Sequence, residues 1–188
     1  IYCKALADTV NGMGFSTIKP IPTYIVPEYG YEATFRDFGS GEKGEFPFQL
    51  INPHYLRRAH SVFDNVPWLR EAWENPVFIN ADDAAALSVK DGDTVLVTSP
   101  FGKTLRPASV TNLLRPGVVG LPHGAWVDVD EETGIDKAGA DNYLSGQVPT
   151  GQGVSGFNSN ICKIEKYDSV ALVPDAELPL RMALKEGE

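Results

Sequence analysis

Between Phe46 and Tyr167 the chain is cut every few residues by glycine, proline or an Asp-Gly turn, and its apolar runs are only strand-length. Phe48–Ile51, Val77–Ile79, Thr94–Thr98, Lys103–Thr111, Gly117–Leu121 and Ile161–Tyr167 each read as a strand. Lys90-Asp91-Gly92-Asp93 and Phe101-Gly102 supply turns between them. Only two short helices are predicted. One covers Val66–Trp73, with Pro67 early and Pro76 beyond its end; the other covers Ala81–Leu87. Asn80 is placed to cap the second, and Asp82 and Asp83 lie in its first turn, where the helix dipole favours acids. The 18 glycines and 14 prolines exceed the usual share of about 12% for the pair, which suits many turns rather than a helical bundle. The expected fold is mainly β, a small closed barrel with short helices.

The 188 residues are enough for one domain, or one domain with an arm. Residues 1–45 read as an irregular N-terminal arm: Pro20, Pro22 and Pro27 interrupt it, and Tyr24, Tyr29, Tyr31, Phe35 and Phe38 follow no helical or strand period. Such a segment is expected to drape over another surface. Residues 46–170 form the expected barrel and 171–188 a C-terminal tail. Ile1 is not a methionine and no secretory signal pattern follows it; a mature N-terminus left by processing would explain this, as would a piece of a longer polypeptide, which is the expectation favoured by the resemblance given below.

Charge narrows the partners. The net −9 falls mostly in residues 121–188, which hold 5 basic and 12 acidic groups, whereas residues 51–120 balance at 7 and 7. No basic stripe exists, so nucleic acid is not an expected partner. No run of 18 apolar residues exists either, so no membrane insertion is expected. Arg57, Arg58, Arg106 and Arg115 suffice for a small anionic ligand.

Several familiar motifs fail on their context. Gly151–Gly156 matches GxGxxG, but a polar loop precedes it and no helix follows, so it is not a dinucleotide turn of the Rossmann kind. Asp128–Glu132 resembles a calcium loop, but Thr133 stands where glycine is required and Gly139 where glutamate is required. His54, His60 and His123 form no HxxxH pair and lie beside no cysteine, which argues against zinc. No GxSxG elbow supports a hydrolase. Cys3 and Cys162 form no CxxC pair, and whether they bond to each other is open. Trp126 reads as a core anchor, and Val127–Gly156 as a polar loop too long to be structureless unless it binds something.

One cluster stands out. Asn52-Pro53-His54-Tyr55-Leu56-Arg57-Arg58-Ala59-His60-Ser61 packs two arginines, two histidines, tyrosine, asparagine and serine directly after a strand. Guanidinium forks grip pyrophosphate, imidazoles bond to the edges of heterocycles, and tyrosine stacks.

His54–Ser61, Ile79–Ala84, Lys90–Val95, Gly117–Val119, Gly124–Trp126 and Asn142–Ser145, in this order and spacing, resemble the C-terminal domain of the dimethyl sulfoxide reductase family of molybdenum enzymes. The likeness runs from about Phe46 to Tyr167, and the arm also looks like the segment that enters this domain. The resemblance implies a six-stranded double-psi barrel closing over molybdenum bis(molybdopterin guanine dinucleotide), tungsten being the other metal of the wider family. It implies that any 4Fe-4S cluster and the metal-ligating residue lie in upstream domains of the same chain, so no catalytic or metal-binding residue is expected here. Arg58, His60 and Ser61 fit the family's Arg-x-His-Ser loop, which contacts the cofactor. Asn142 fits the asparagine of its Asn-x-Leu-Thr segment, with Ser145 for threonine, and Gln152 falls in the loop that closes over pterin. Two positions depart: Ser99-Pro100-Phe101-Gly102 replaces Asn-x-Arg-Gly, and Leu87-Ser88 replaces Arg-Gly.

By the same resemblance the whole enzyme reduces a sulfoxide or related oxide by oxygen-atom transfer. It would work with an iron–sulfur electron-transfer subunit and a membrane anchor, in a membrane-associated or periplasmic bacterial respiratory complex. Two alternatives stay open: a relative using another acceptor, such as an N-oxide, selenate or polysulfide, and a free-standing barrel that binds a small ligand or partner protein.

Overall fold

The computed structural model describes residues 2–14, 19–146, 148, 156, 158–169 and 172–180. Its elements are α1 (Lys4–Gly12), β1 (Phe35–Asp37), β2 (Glu42–Lys43), β3 (Phe48–Ile51), α2 (Pro67–Ala72), β4 (Val77–Asn80), α3 (Ala81–Ala86), β5 (Thr94–Thr98), β6 (Lys103–Thr111), β7 (Val118–Gly120) and β8 (Asn160–Lys166). Every strand expected after Phe46 is present, within a residue or two of its expected ends.

Six strands close into a barrel in the order β3-β7-β4-β6-β5-β8, as the fold expectation required. Two of its pairings, β3 with β7 and β4 with β6, are parallel, and the others are antiparallel. Strand partners are therefore often distant in sequence, and side chains alternate between barrel interior and exterior. Leu50, Val77, Ile79, Val95, Val97 and Val119 all turn inward and are fully buried. Leu121 and Leu144 complete this core, together with Cys162. Burial pushes the Cys162 thiol up, so it stays a neutral core residue. Cys3 is exposed and both cysteines are free, which closes the question left by the sequence.

The arm is more ordered than its composition suggested. Lys4 and Asp8 pair one turn apart along α1, and Ala7 and Val10 bury one face of it. Two buried positions three residues apart are too weak a periodic signal to have announced the helix. Tyr31, Phe35 and Phe38 meet edge to face, with ring centroids 5.2–6.2 Å apart, and Lys43 Nζ sits 3.9 Å from the Phe35 centroid. The aromatics cluster through the β1–β2 hairpin turn rather than through any period.

The polar stretch after Trp126 is likewise not structureless. Asp136 is fully buried, and its carboxylate accepts from five donors. Oδ1 takes the Asp128 and Ala138 amides at 2.8 and 3.2 Å; Oδ2 takes the Gly139 and Ala140 amides at 2.8 Å and Thr104 Oγ1 at 2.7 Å. One carboxylate thus stands in for a hydrophobic core and fastens the stretch to β6. Among the described residues no helix is long and apolar enough to cross a membrane.

Asn80 caps α3 as expected, its side chain accepting from the Asp82 amide at 2.8 Å. At the other end the missing glycine has a consequence, because Ser88 holds φ at +56°. An L-residue in the left-handed region costs about 1–2 kcal/mol, partly offset by the entropy a glycine would lose on folding. Ser88 is exposed, so Ser88→Gly should raise stability by up to about 1 kcal/mol, read as a higher urea midpoint at unchanged slope.

Candidate functional site

The segment after β3 leaves the barrel and turns back on itself. Ala59 and Val62 bond to each other through both backbone amides, at 3.2 and 3.0 Å. Closing so tight a turn forces His60 to φ +53°, and Phe63 follows at +75°. Non-glycine residues persist in that region only where their surroundings over-determine them. Here the surroundings are Asp64 and Gly124.

Asp64 is buried and lies beneath the turn. Its Oδ1 accepts from Arg58 Nε and pairs with Arg57 Nη2 at 3.2 Å, while Oδ2 accepts from the Trp126 amide at 3.1 Å. Trp126 Nε1 in turn donates to the Ser61 carbonyl at 2.8 Å. Trp126 is therefore half-exposed and tethers the turn; it is not the core anchor expected from its type. Gly124, at φ +91°, passes so close that a Cβ there would lie 1.9 Å from the His60 carbonyl oxygen. Only glycine fits this crossing.

The crossing brings together three histidines that are up to 69 residues apart in the sequence. The ring centroids of His54, His60 and His123 lie 5.0–5.7 Å from one another. His123 Nδ1 is 2.7 Å from Asp141 Oδ2, and Asp141 Oδ1 accepts from the Gly124 amide at 2.9 Å. An ionised carboxylate only accepts, so His123 donates from Nδ1 and presents Nε2 toward His60 Nδ1, 3.4 Å away. The described residues contain no group of three or more His, Cys, Asp or Glu side chains able to hold a metal ion. Chain separation hid this imidazole cluster; the glycine between His123 and Trp126 was its one local sign.

Of the residues singled out in the sequence, Arg58, His60 and Ser61 share this turn. His60 and Ser61 are exposed, whereas Arg58 is buried. Asn142 is exposed on the 3-10 turn Asp141–Leu144, which the Asp141–His123 contact joins to the same rim. Ser145 accepts from Asn160 Nδ2 at 3.1 Å and so ties that turn to β8. Gln152 lies outside the described residues. The altered Ser99–Gly102 turn has become a packing surface: Phe101 meets Tyr29 of the arm at 5.1 Å, and a Cβ at Gly146 would strike its ring at 2.2 Å. Leu56, Phe63, Val66 and Trp68, together with Arg57 and Arg58, border an open groove of about 500 Å³.

Beneath the rim the arginines form a buried ionic cluster. Arg58 Nη1 donates to Asn75 Oδ1 at 3.0 Å. Arg57 Nη1 donates to Asp175 Oδ2, and Arg106 Nη2 to Asp175 Oδ1 at 2.7 Å. Burial makes the Arg58 proton easier to lose and Asp64 opposes this, but a guanidinium remains a cation. Arg58 Nη2 and Arg57 Nε have no hydrogen-bond partner among the described residues. A buried donor left in that state is costly unless something else accepts from it.

Burial would raise the Asp175 carboxyl, but Arg106 and Arg57 outweigh it and hold the group below the usual carboxylate range. A carboxyl lowered on folding stabilises the fold above its unfolded value of about 3.9, and that contribution fades as pH falls through the lower folded value. The difference in urea midpoint between the wild type and Asp175→Asn should therefore be constant from about pH 5 to 7 and shrink below about pH 4. Gly124→Ala should cost about 2 kcal/mol or more, measured by the same unfolding curves, because neither the backbone angle nor the His60 carbonyl tolerates a Cβ.

Comparisons with known proteins place the chain in a family. Residues 48–161 match the family model described as "Molydopterin dinucleotide binding domain". Trimethylamine-N-oxide reductase of Haemophilus influenzae is 33% identical over 178 residues, covering 89% of this chain and 20% of the relative. Dimethyl sulfoxide reductase DmsA of Escherichia coli is 32% identical over 170 residues, covering 88% and 20%. The chain thus spans about one fifth of the length of the curated relatives it matches. Acetylene hydratase of Pelobacter acetylenicus shares the fold, with a TM-score of 0.66 at 19% identity over 84% of this chain and 22% of that one. With its matched stretch running from the first barrel strand into the last, the chain belongs to the molybdopterin dinucleotide-binding domain family.

Proposed function

We propose that this chain holds molybdenum bis(molybdopterin guanine dinucleotide) as a domain of a catalytic subunit that reduces dimethyl sulfoxide, an N-oxide or a related oxide. The observation that carries the reading is the rim at His60 and Ser61, a strained turn fixed from below and crossed by Gly124. Its donor set fits a dinucleotide. Exposed imidazoles and the Asn142 amide suit the edges of guanine or pterin, and the Ser61 hydroxyl suits a phosphate oxygen. Arg58 Nη2 adds a buried cationic donor that the described residues leave unpaired.

When bound, the molybdenum or tungsten centre supplies two-electron oxygen-atom transfer. This chain's own residues bind and orient. Asp141 sets the His123 tautomer, so that Nε2 rather than Nδ1 faces the rim. Asp64 and Asn75 hold the Arg58 fork, and Trp126 fixes the Ser61 carbonyl. Gln152 is assigned to the loop that closes over the pterin. The metal-ligating residue and any 4Fe-4S cluster belong to other domains of the whole enzyme. Its partners would be an iron–sulfur electron-transfer subunit and a membrane anchor, in a membrane-associated or periplasmic respiratory complex. Two relatives named for dimethyl sulfoxide and trimethylamine-N-oxide, at nearly equal identity, support an oxide substrate of this kind.

His60→Ala and Ser61→Ala in the whole enzyme should each lower the molybdenum and guanine nucleotide recovered per chain several-fold. Both side chains are exposed, so the melting temperature of the metal-free protein should stay within about 2 °C of wild type. Full metal and nucleotide in both variants would refute the assignment of this rim.

A further inference from the structure

The segment after β8 docks on the arginine cluster beneath the rim. Asp175 opens a single 3-10 turn, Asp175–Glu177, and is 2% exposed. Besides Arg57 and Arg106 it accepts from the Asn75 amide at 2.9 Å. Arg70 Nη1 holds the following residues by donating to the Leu178 and Pro179 carbonyls, at 3.1 and 3.3 Å. No described residue of this segment belongs to the buried hydrophobic cluster. Its anchorage is polar, and it lies beyond the matched stretch 48–161.

Three buried guanidinium groups, Arg57, Arg58 and Arg106, share two carboxylates, Asp64 and Asp175. Arg57 touches both, Asp175 through Nη1 and Asp64 through Nη2. Asp64 Oδ1 is consequently divided between Arg57 and Arg58, while Oδ2 holds the Trp126 amide. Without the Asp175 charge, Asp64 would be the sole carboxylate left to Arg57, in direct competition with Arg58. A buried cation that loses its partner reorganises its neighbours.

We propose that Asp175 is a positioning residue for the dinucleotide rim: by taking Arg57 Nη1 it limits the hold of Arg57 on Asp64, keeps Asp64 on Arg58 and Trp126, and so fixes His60 and Ser61. Its relevance to ligand binding rests on the function proposed above; its action on the turn does not. The account makes a specific demand. Removing Arg57 along with Asp175 relieves the competition and should restore what Asp175→Asn alone disturbs.

The test uses the 188-residue chain as wild type, Asp175→Asn, Arg57→Gln and the double variant. Native-state amide exchange is followed in residues 58–64 and, as a control, in β5 and β8, with guanosine diphosphate as the binding probe. Asp175→Asn should speed exchange in 58–64 at least about ten-fold more than it speeds exchange in β5 and β8, whose rise should match the loss of global stability read from the urea midpoint. The double variant should return to within about three-fold of wild type, an interaction visible as strong non-additivity. Guanosine diphosphate affinity should follow the same order. The proposal is overturned if exchange in 58–64 stays within about two-fold of wild type in Asp175→Asn, or if the double variant is no better than the single. An equal loss of protection in 58–64, β5 and β8 would also overturn it, by making Asp175 a residue of the whole fold alone. A wild-type chain that does not bind guanosine diphosphate would count against the dinucleotide reading instead, and the exchange pattern alone would then decide the role of Asp175.

Discussion

The carboxylate of Asp64 does three things at once. It neutralises Arg58, shares charge with Arg57 and accepts the Trp126 amide. These bonds reach two pieces of chain: the two arginines lie on the segment that follows β3, and Trp126 on the crossing segment that also carries His123 and Gly124. A turn with two non-glycine residues at positive φ has no reason to persist by itself. It persists because a buried ion pair and a glycine crossing leave no other arrangement. Such a pair contributes little net stability, since desolvating two charges costs about what their attraction returns. Its effect is to select one geometry, and that suits a rim that must meet a fixed array of donors and acceptors.

The molecule repeats this device. The barrel is an ordinary hydrophobic solution, with inward Leu, Ile and Val side chains from six strands. Four of the segments attached to it are held by buried carboxylates. Asp136 gathers the stretch after Trp126, Asp141 orients His123 and the Gly124 amide, Asp64 fixes the turn, and Asp175 docks the tail. Polar loops have too little apolar surface to pack, so charge-assisted bonds take the place of packing. The strong acidity of residues 121–188 is therefore partly internal structure: Asp136, Asp141 and Asp175 are all buried.

These two modes of construction explain what could be read from the sequence. Strands such as Thr94–Thr98 and the Asn80 cap are local, because alternation, turn residues and capping chemistry lie within a few residues of one another. The whole barrel and both helices after Phe46 were legible for that reason, and so was the ordered set of motifs that named the family. The imidazole cluster was not, because His54 and His123 meet only through a close backbone crossing. Nothing in the one-dimensional pattern distinguishes Asp136, with five donors, from Glu131 at the surface. Trp126 was misread because its size suggested a core position, whereas its indole N–H and backbone amide serve the rim. The helix α1 was missed because only Ala7 and Val10 mark its buried face.

The central claim is that a barrel of this family presents a dinucleotide-holding rim built on His60 and Ser61. The most direct measurement takes the native polypeptide that carries this segment, purified without oxygen, and determines metal and acid-released guanine nucleotide per chain. The account predicts about one molybdenum or tungsten and two guanines per chain. A polypeptide carrying neither would contradict it, whatever the barrel resembles.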